Sequence, residues 1–370
     1  MDKKIFFAIG IAIAAAMTVL MFIPTTITSD QPKPIETLKN EKLGLVINTP
    51  TSQVTLDELN KVYSEASLTG IGRSNHYLFW NQMEPEQGKF NWKDTDILMS
   101  LNKNNGLQVT LYFSIVNGRI TGPFPDWMGT PSLGTNLEQK TIKTLDAILT
   151  RYDGVIDYVI IGGSLDSYFD DADGSVNLYK EYFGNVYSEI KQKHPNVKMG
   201  NAFSLNNVLN KKLESYVTDV GQLGDFVAFT YLPVDRLNDI SKTPQEARAD
   251  LQKALDIAGD KKIAFFETSW STSDFVKGSE QDQAEFVKIA YDFYRQNKSE
   301  IEFFNWYRQF DRPEGSCTIN QQFSESQVAV TGDQHVRERL GHYVCDAGLI
   351  KTDNSPKTAW NELKKQIQSS

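Results

Sequence analysis

The chain has 370 residues, of which 40% are hydrophobic and 23% are charged, with a net charge of −9 and a pI near 5.1. This composition is typical of a globular protein and excludes a disordered chain. The acidic balance argues against nucleic acid as a partner, because phosphates require a basic face. Neutral small molecules or polymers fit better. No glycine-rich phosphate motif is present, and nothing indicates an organic cofactor.

The N-terminal segment is apolar enough to cross a membrane. Residues 5–23 read IFFAIGIAIAAAMTVLMFI, and a helix of that length spans ~28 Å, about the hydrocarbon thickness. No small-residue cleavage site follows, so we favour an uncleaved anchor over a signal peptide. Lys3 and Lys4 would keep this end in the cytoplasm. We therefore predict an anchor (or signal peptide) over residues 1–24, a polar tether over 25–41, and an extracytoplasmic domain over 42–370, secreted if the first segment is cleaved.

The two cysteines, Cys317 and Cys345, lie in the same late region. In an exported chain this pattern favours a disulfide, and two free buried thiols are the alternative. Two cysteines and four scattered histidines have no zinc-site spacing, so no metal site is predicted.

Strand-like and helix-like segments alternate from residue 42 onward. Strands are predicted over 43–47, 74–79, 107–115, 155–161, 197–203, 226–231, 263–266 and 301–306. Helices are predicted over 56–68, 95–104, 137–152, 178–193, 211–220, 247–258, 281–295 and 357–367. This alternation implies parallel strands with right-handed crossovers, and eight units predict an α/β fold of the (β/α)₈ TIM-barrel type. A long connection over residues 311–354 contains both cysteines.

Aromatic and polar residues gather at the carboxyl ends of the predicted strands, where barrels of this kind carry their chemistry. Four of the six tryptophans lie at or just past these ends. They are Trp80, Trp127, Trp270 and Trp306, and Asn305 lies at the end of the last strand. Indole plates suit the C–H faces of sugar rings, which makes these residues candidate substrate contacts. The alternative is that each tryptophan simply packs the top of the barrel.

Glu267 ends the apolar run of KKIAFFETSW, where a buried carboxylate requires a partner. A structural interpretation pairs it with Arg73. A functional interpretation makes it a catalytic carboxylate that Arg73 and Tyr231 keep ionised. We favour the functional one.

Several motifs resemble those of clan A glycoside hydrolases, the retaining (β/α)₈ glycosidases. WNQMEPEQGKFNW is similar to their strand-two loop, FTYLPVD to their strand-six segment, FFETSW to their strand-seven nucleophile motif, and DAGLIKTDNSPKTAWNELKK to their closing segment. The resemblance covers residues 42–310 and 346–370 and is nearest to the galactanase and β-galactosidase groups. It implies that Glu267 is the nucleophile, that Arg73 and Tyr231 support it, and that Trp306 is a sugar platform.

The fourth predicted strand departs from that pattern. Where the family reads I-G-N-E, this chain reads Ile161-Gly162-Gly163-Ser164. Gly163 replaces the asparagine that binds a sugar hydroxyl, and Ser164 replaces the acid/base glutamate. Retaining hydrolysis uses two carboxyl groups about 5–5.5 Å apart, and losing acid–base help typically costs ~10²–10⁴-fold in rate.

Three outcomes follow from this departure. Another acid could serve; the candidates are Asp166, Glu84, Asp126 and His76, although a turn or helix-capping role suits Asp166 better. The chain could act only on activated glycosides or as a transferase. It could also hold a glycan without cutting it. We predict a glycoside hydrolase acting on β-linked sugars through Glu267, with residues 164 and 267 facing one slot. The alternative is a non-catalytic carbohydrate-binding protein of the cell envelope.

Overall fold

A computed structural model describes residues 38–51, 53–171, 175–313, 316–317 and 334–370. The predicted membrane span, residues 5–23, and the tether as far as residue 37 lie outside the described residues. Within the described ranges no helix is both long and apolar enough to span a bilayer. The anchor and its domain limits therefore stay predictions.

The strands close into the predicted barrel. They are β1 (Asn40–Leu45), β2 (Ile71–Leu78), β3 (Gln108–Asn117), β4 (Ile120–Thr121), β5 (Ile156–Gly163), β6 (Lys198–Ser204), β7 (Phe226–Tyr231), β8 (Ile263–Thr268) and β9 (Ile301–Trp306). Eight of them pair in parallel around a ring in which β9 pairs back to β1 and β2 pairs with β3. The short β4 pairs antiparallel to the end of β3.

Helices follow the strands and surround the ring. They are α1 (Leu56–Ser67), α2 (Trp80–Met83), α3 (Lys93–Asn104), α4 (Thr135–Arg151), α5 (Leu165–Asp171), α6 (Ser175–Lys193), α7 (Leu205–Lys211), α8 (Glu214–Val220), α9 (Pro244–Ala258), α10 (Glu280–Gln296), α11 (Gln334–Cys345) and α12 (Thr358–Gln368). Thr55 and Thr243 begin α1 and α9 with capping boxes, which fixes where these helices start. The sequence did not predict α2, α5, α7 or α11; α11 occupies part of the long connection.

Strand alternation creates two separate cores, one inside the ring and one between the ring and the helices. The inner core is formed by Tyr112, Tyr158, Ile160, Ala202, Phe226, Ala228, Ala264, Phe266 and Phe303. Because these side chains fill the barrel, the positions at the strand ends are where inward-facing side chains can contact a ligand.

The segment after β9 is fastened in two ways. Cys317 and Cys345 form the predicted disulfide, with an S–S distance of 2.08 Å. Lys357, 1% exposed, donates to the Asp311 carboxylate at 2.8 Å and to the Asp346 carbonyl at 3.1 Å. These contacts hold the loop after β9 against the carboxyl-terminal mouth of the barrel.

Candidate functional site

Glu267 reaches the barrel mouth through an irregularity in β8. Phe229 pairs with Phe265, but the next residue, Thr230, pairs with Glu267, so Phe266 is an extra residue on β8. Such a bulge re-aims the following side chain. Phe266 points into the barrel with the inner core, and the bulge lets Glu267 point inward as well. Simple alternation would have turned it toward the helices.

The Glu267 carboxylate is 2% exposed and is held by two hydroxyl groups. Tyr77 donates a short hydrogen bond to its Oε1, and Thr230 donates to its Oε2 at 3.4 Å. Burial raises the pKa of Glu267 to about 7, although the Tyr77 bond and the positive charge of Arg308 act in the opposite direction. This raised pKa favours the protonated form of Glu267, which weakens it as a nucleophile.

Arg73 and Tyr231 do not support Glu267, contrary to the sequence prediction. Arg73 lies near the start of β2, and its guanidinium donates to Asp157 at 2.5 Å, at the opposite end of the barrel. Tyr231 follows Thr230, so alternation turns its ring outward, where its hydroxyl donates to Asp250 of α9 at 2.8 Å. The residues in the predicted supporting roles are instead Tyr77 and Thr230.

The end of β5 has no acidic group facing Glu267. A β-carbon added at Gly163 would lie 2.8 Å from the Tyr112 hydroxyl and 2.9 Å from its Cε2 atom. The Tyr112 ring is itself 6.0 Å from the Phe266 ring, so aromatic side chains fill the space between residue 163 and β8. Ser164 is half-buried with φ of 48° as the chain turns into α5. Aromatic rings thus lie beside Gly163, next to Ser164, and the slot shared by Ser164 and Glu267 stays a prediction.

The predicted sugar platforms are mostly packing residues. Trp80, Trp270 and Trp306 are 0%, 1% and 0% exposed. Trp306 and Trp270 pack on Phe286 of α10 at 6.0 and 5.2 Å, because both face outward from the ring. Of the four, Trp127 alone is partly exposed, and its indole donates to the Glu84 carbonyl at 3.0 Å. Asn305 does point inward, but it is fully buried and donates to Asn75 at 2.6 Å.

Each alternative acid is either engaged elsewhere or on the surface, with one exception. Asp166 is fully buried and accepts from the Ser204 amide, as expected of a structural acid. Glu84 accepts from the Trp80 indole and the Gly88 amide, and Asp126 lies on the surface. His76 is the exception: its Nε2 atom is buried without a hydrogen-bond partner among the described residues. Burial lowers the pKa of His76 to about 4, so its ring is neutral at pH 7.

A cavity of about 230 Å³ opens at the mouth beside these residues. Its walls come from the loop after β1, the end of β2, the loop leading to α3, and the segment after β9. Polar and aromatic lining groups include Asn48, Thr49, Asn75, His76, Tyr77, Gln82, Tyr307, Arg308 and Arg312. Tyr77 lines the cavity and Glu267 does not, so the Tyr77 ring separates the carboxylate from the open space.

Sequence reasoning missed both arginines of this cavity, Arg308 and Arg312, and two of its tyrosines, Tyr77 and Tyr307. Tyr77 lies two residues after Asn75 in β2, so both face the same side, and that alternation was a usable signal. Tyr307 and Arg308 directly follow β9, a position where barrel residues serve ligands. Arg312 had no such signal, since its place depends on how the following loop folds back.

The comparisons with known proteins agree with the fold. A family 39 glycoside hydrolase from Bacteroides cellulosilyticus WH2 aligns over 91% of this chain and 65% of its own length, with 14% identity and a TM-score of 0.61. A GH5_18 protein from Streptomyces cattleya, solved with Manβ1-4GlcNAc, aligns over 89% of this chain and 80% of its own, with 13% identity and a TM-score of 0.64.

An exo-β-1,4-mannosidase from Opitutaceae bacterium strain TAV5 aligns over 89% of this chain and 59% of its own, with 12% identity and a TM-score of 0.64. This chain thus spans less than two thirds of that mannosidase and of the family 39 enzyme. No known family model and no curated protein sequence matches the chain. At these identities the likeness shows the fold alone: this chain has the (β/α)₈ barrel that these glycoside hydrolases also have.

Proposed function

We propose that this protein is a glycoside hydrolase-like carbohydrate-binding protein that does not perform ordinary two-carboxylate hydrolysis. The observation that supports this most directly is at the end of β5, where Ser164 supplies no carboxyl group and the Tyr112 ring occupies the space that a side chain at the adjacent Gly163 would need. A retaining glycosidase needs a second carboxyl group about 5–5.5 Å from its nucleophile. No described carboxyl group takes that place opposite Glu267.

The cavity at the barrel mouth supports a binding role. It joins the aromatic rings of Tyr77 and Tyr307 with hydrogen-bonding groups such as Gln82 and His76. Aromatic faces and polar edges together match the two kinds of surface on a sugar ring. The known proteins with the same fold include one solved with a β-linked disaccharide, and we extend that ligand class to this chain.

The test is to offer natural β-linked oligosaccharides, such as β-1,4-manno-oligosaccharides, to the full chain and to its Glu267→Gln variant. We expect binding by calorimetry, no release of reducing sugar, and an affinity within about threefold in the variant. Exposed Glu300 supplies a matched control, Glu300→Gln. Release of reducing sugar that Glu267→Gln abolishes and Glu300→Gln retains would refute the proposal.

A second function is favoured by the two hydroxyl groups that hold Glu267. A carboxylate fixed by Tyr77 and Thr230 at a strand end is oriented as a nucleophile must be. Without an acid, it would act only on glycosides whose leaving group departs unprotonated. Hydrolysis of dinitrophenyl glycosides that azide accelerates and Glu267→Gln abolishes would support this function; no turnover would leave the binding role.

A further inference from the structure

Arg308 lies in the cavity wall with most of its hydrogen-bonding capacity unused. The side chain is 3% exposed. Its Nη2 atom donates to the Tyr307 hydroxyl, and its Cζ atom lies 4.5 Å from the centre of the Tyr307 ring. Its Nε and Nη1 atoms are buried and have no hydrogen-bond partner among the described residues. Burying a charged group in this state costs several kcal/mol unless something else satisfies it.

No carboxylate of the described residues forms an ion pair with this guanidinium. Glu267 is close enough for the charge of Arg308 to lower its pKa. However, the Glu267 oxygens take their hydrogen bonds from Tyr77 and Thr230. Asp94, the acidic group that lines the cavity, is exposed at the rim.

Arg312 adds a second guanidinium to the same wall. It is half-buried, lines the cavity, and forms no ion pair with the described residues. Burial and the neighbouring charge of Arg308 lower the pKa of Arg312, which means that the two cations repel each other. The backbone of Arg312 is fixed by a 2.9 Å bond to the Cys345 carbonyl. The fold therefore holds two like charges together in one cavity.

We propose that Arg308 and Arg312 form a subsite for a carboxylate, so that the sugar bound at the mouth is an acidic one of the uronic acid class. The planar fork of an arginine matches a carboxylate through two parallel N–H···O bonds. The Nε and Nη1 atoms of Arg308 lie on the two different edges of this fork, and each has N–H capacity unused by the described residues and available to a carboxylate. Only the sugar part of this inference rests on the proposed function.

The remaining cavity suits one sugar ring beside the carboxylate. Its volume of about 230 Å³ lies below the roughly 300–1,000 Å³ of drug-sized pockets. The unpartnered Nε2 atom of neutral His76 lies in the same wall and can bond a ring hydroxyl. Tyr77 provides an aromatic face on that side.

The experiment compares a sugar acid with its neutral amide on the full chain. Calorimetry with sodium glucuronate and with glucuronamide isolates the carboxylate, since the two ligands share their ring. We expect glucuronate to bind at least tenfold more tightly than glucuronamide. Glucose 6-sulfate and glucose 6-phosphate are the competing anions, and tighter binding of either one than of glucuronate would overturn the carboxylate assignment.

Substituting the arginines tests whether they cause the preference for glucuronate over glucuronamide. Arg308→Gln should remove the preference for glucuronate, and Arg308→Lys should keep only part of it because lysine lacks the fork. Arg248→Gln is the matched control, because that guanidinium bonds to Gln296 at the outer surface. An unchanged preference in Arg308→Gln would overturn the inference. If that variant does not fold by circular dichroism, Arg312→Gln provides the same test.

Simple carboxylates separate this inference from the proposed function. Sodium acetate or benzoate should raise the thermal midpoint of the wild type more than of Arg308→Gln. If it does so while no sugar binds, the carboxylate subsite stands and the proposed function fails. If glucuronamide binds as well as glucuronate and the carboxylates have no effect, the proposed function stands and the subsite fails.

Discussion

Gly163 and Tyr112 show how one absent side chain changes the chemistry of the barrel mouth. Without a β-carbon at residue 163, the Tyr112 ring can lie across the end of β5 and pack near Phe266 and Tyr77. The Tyr112 hydroxyl is then satisfied by the Val116 carbonyl at 3.0 Å. The site thus gains an aromatic packing group where the family pattern has a polar one.

Glu267 gives a prediction about pH and stability. Its folded pKa of about 7 exceeds that of an unfolded glutamate, so the folded state binds the extra proton. Stability from this group is therefore greatest in acid and falls as pH rises from roughly 4.5 to 7. Glu267→Gln should remove this fall, so that its stability relative to the wild type rises by up to ~3 kcal/mol between pH 5 and 8.

Urea unfolding of both proteins at each pH measures this difference. His76 has the opposite effect, because its lowered pKa of about 4 makes the fold gain stability as pH rises toward 6.5. His76 is present in both proteins, so its contribution cancels in the comparison. If the wild type and the variant give parallel curves of stability against pH, the pKa of Glu267 is not shifted.

At the scale of elements, one buried lysine joins the loop after β9 to the loops after β8 and α11. Lys357 donates to Asp311 and Thr272, both at 2.8 Å, and to the Asp346 carbonyl. Burial raises the pKa of Asp311 to about 6 even with Lys357 beside it. Each buried charge of the Lys357–Asp311 pair is therefore stabilised only while the other is present.

Lys357→Met should destabilise the fold by about 3–5 kcal/mol, because it leaves the Asp311 carboxylate buried without a cation. Lys351→Met is the matched control: Lys351 pairs with Glu280 at the surface, where both side chains are over 40% exposed, and we expect a loss below about 1 kcal/mol. Urea unfolding compares them. Equal losses in the two variants would contradict the buried pair, and Asp311→Asn added to Lys357→Met should recover part of the loss.

At the scale of the whole molecule, the disulfide closes the long connection that follows the barrel. Cys317 and Cys345 are 28 residues apart. The Cys345 carbonyl also accepts a hydrogen bond from the Arg312 backbone amide. The link thus stabilises the fold and fixes the loop that lines the cavity. Loss of the disulfide should therefore lower both the stability of the fold and ligand binding at the mouth.

Replacing both cysteines with alanine should lower the free energy of unfolding by ~3–4 kcal/mol, from the chain entropy of a loop this long. We also expect weaker binding at the mouth, since Arg312 loses part of its support. Guanidinium unfolding and calorimetry measure the two effects. Dithiothreitol should shift the wild type toward the variant and leave the variant unchanged; a variant as stable as the wild type would contradict the prediction.

The sequence by itself determined the barrel, because strand and helix patterns are local and their alternation permits few topologies. β7 and β9 fall on the predicted residues, and the disulfide forms between the only two cysteines. The inward position of Glu267 was also expected, although the bulge that produces it was not.

Only the tertiary structure decided which neighbours each strand-end residue has. Trp306 and Tyr231 lie at strand ends as predicted, but alternation and register turn them toward the helices. Arg73 lies at the other end of the barrel from Glu267, and the Arg308 and Arg312 pair exists because a loop folds back over the mouth. The direction in which a strand-end side chain faces depends on how the strands pair around the whole barrel. That pairing is a non-local property that no short segment encodes.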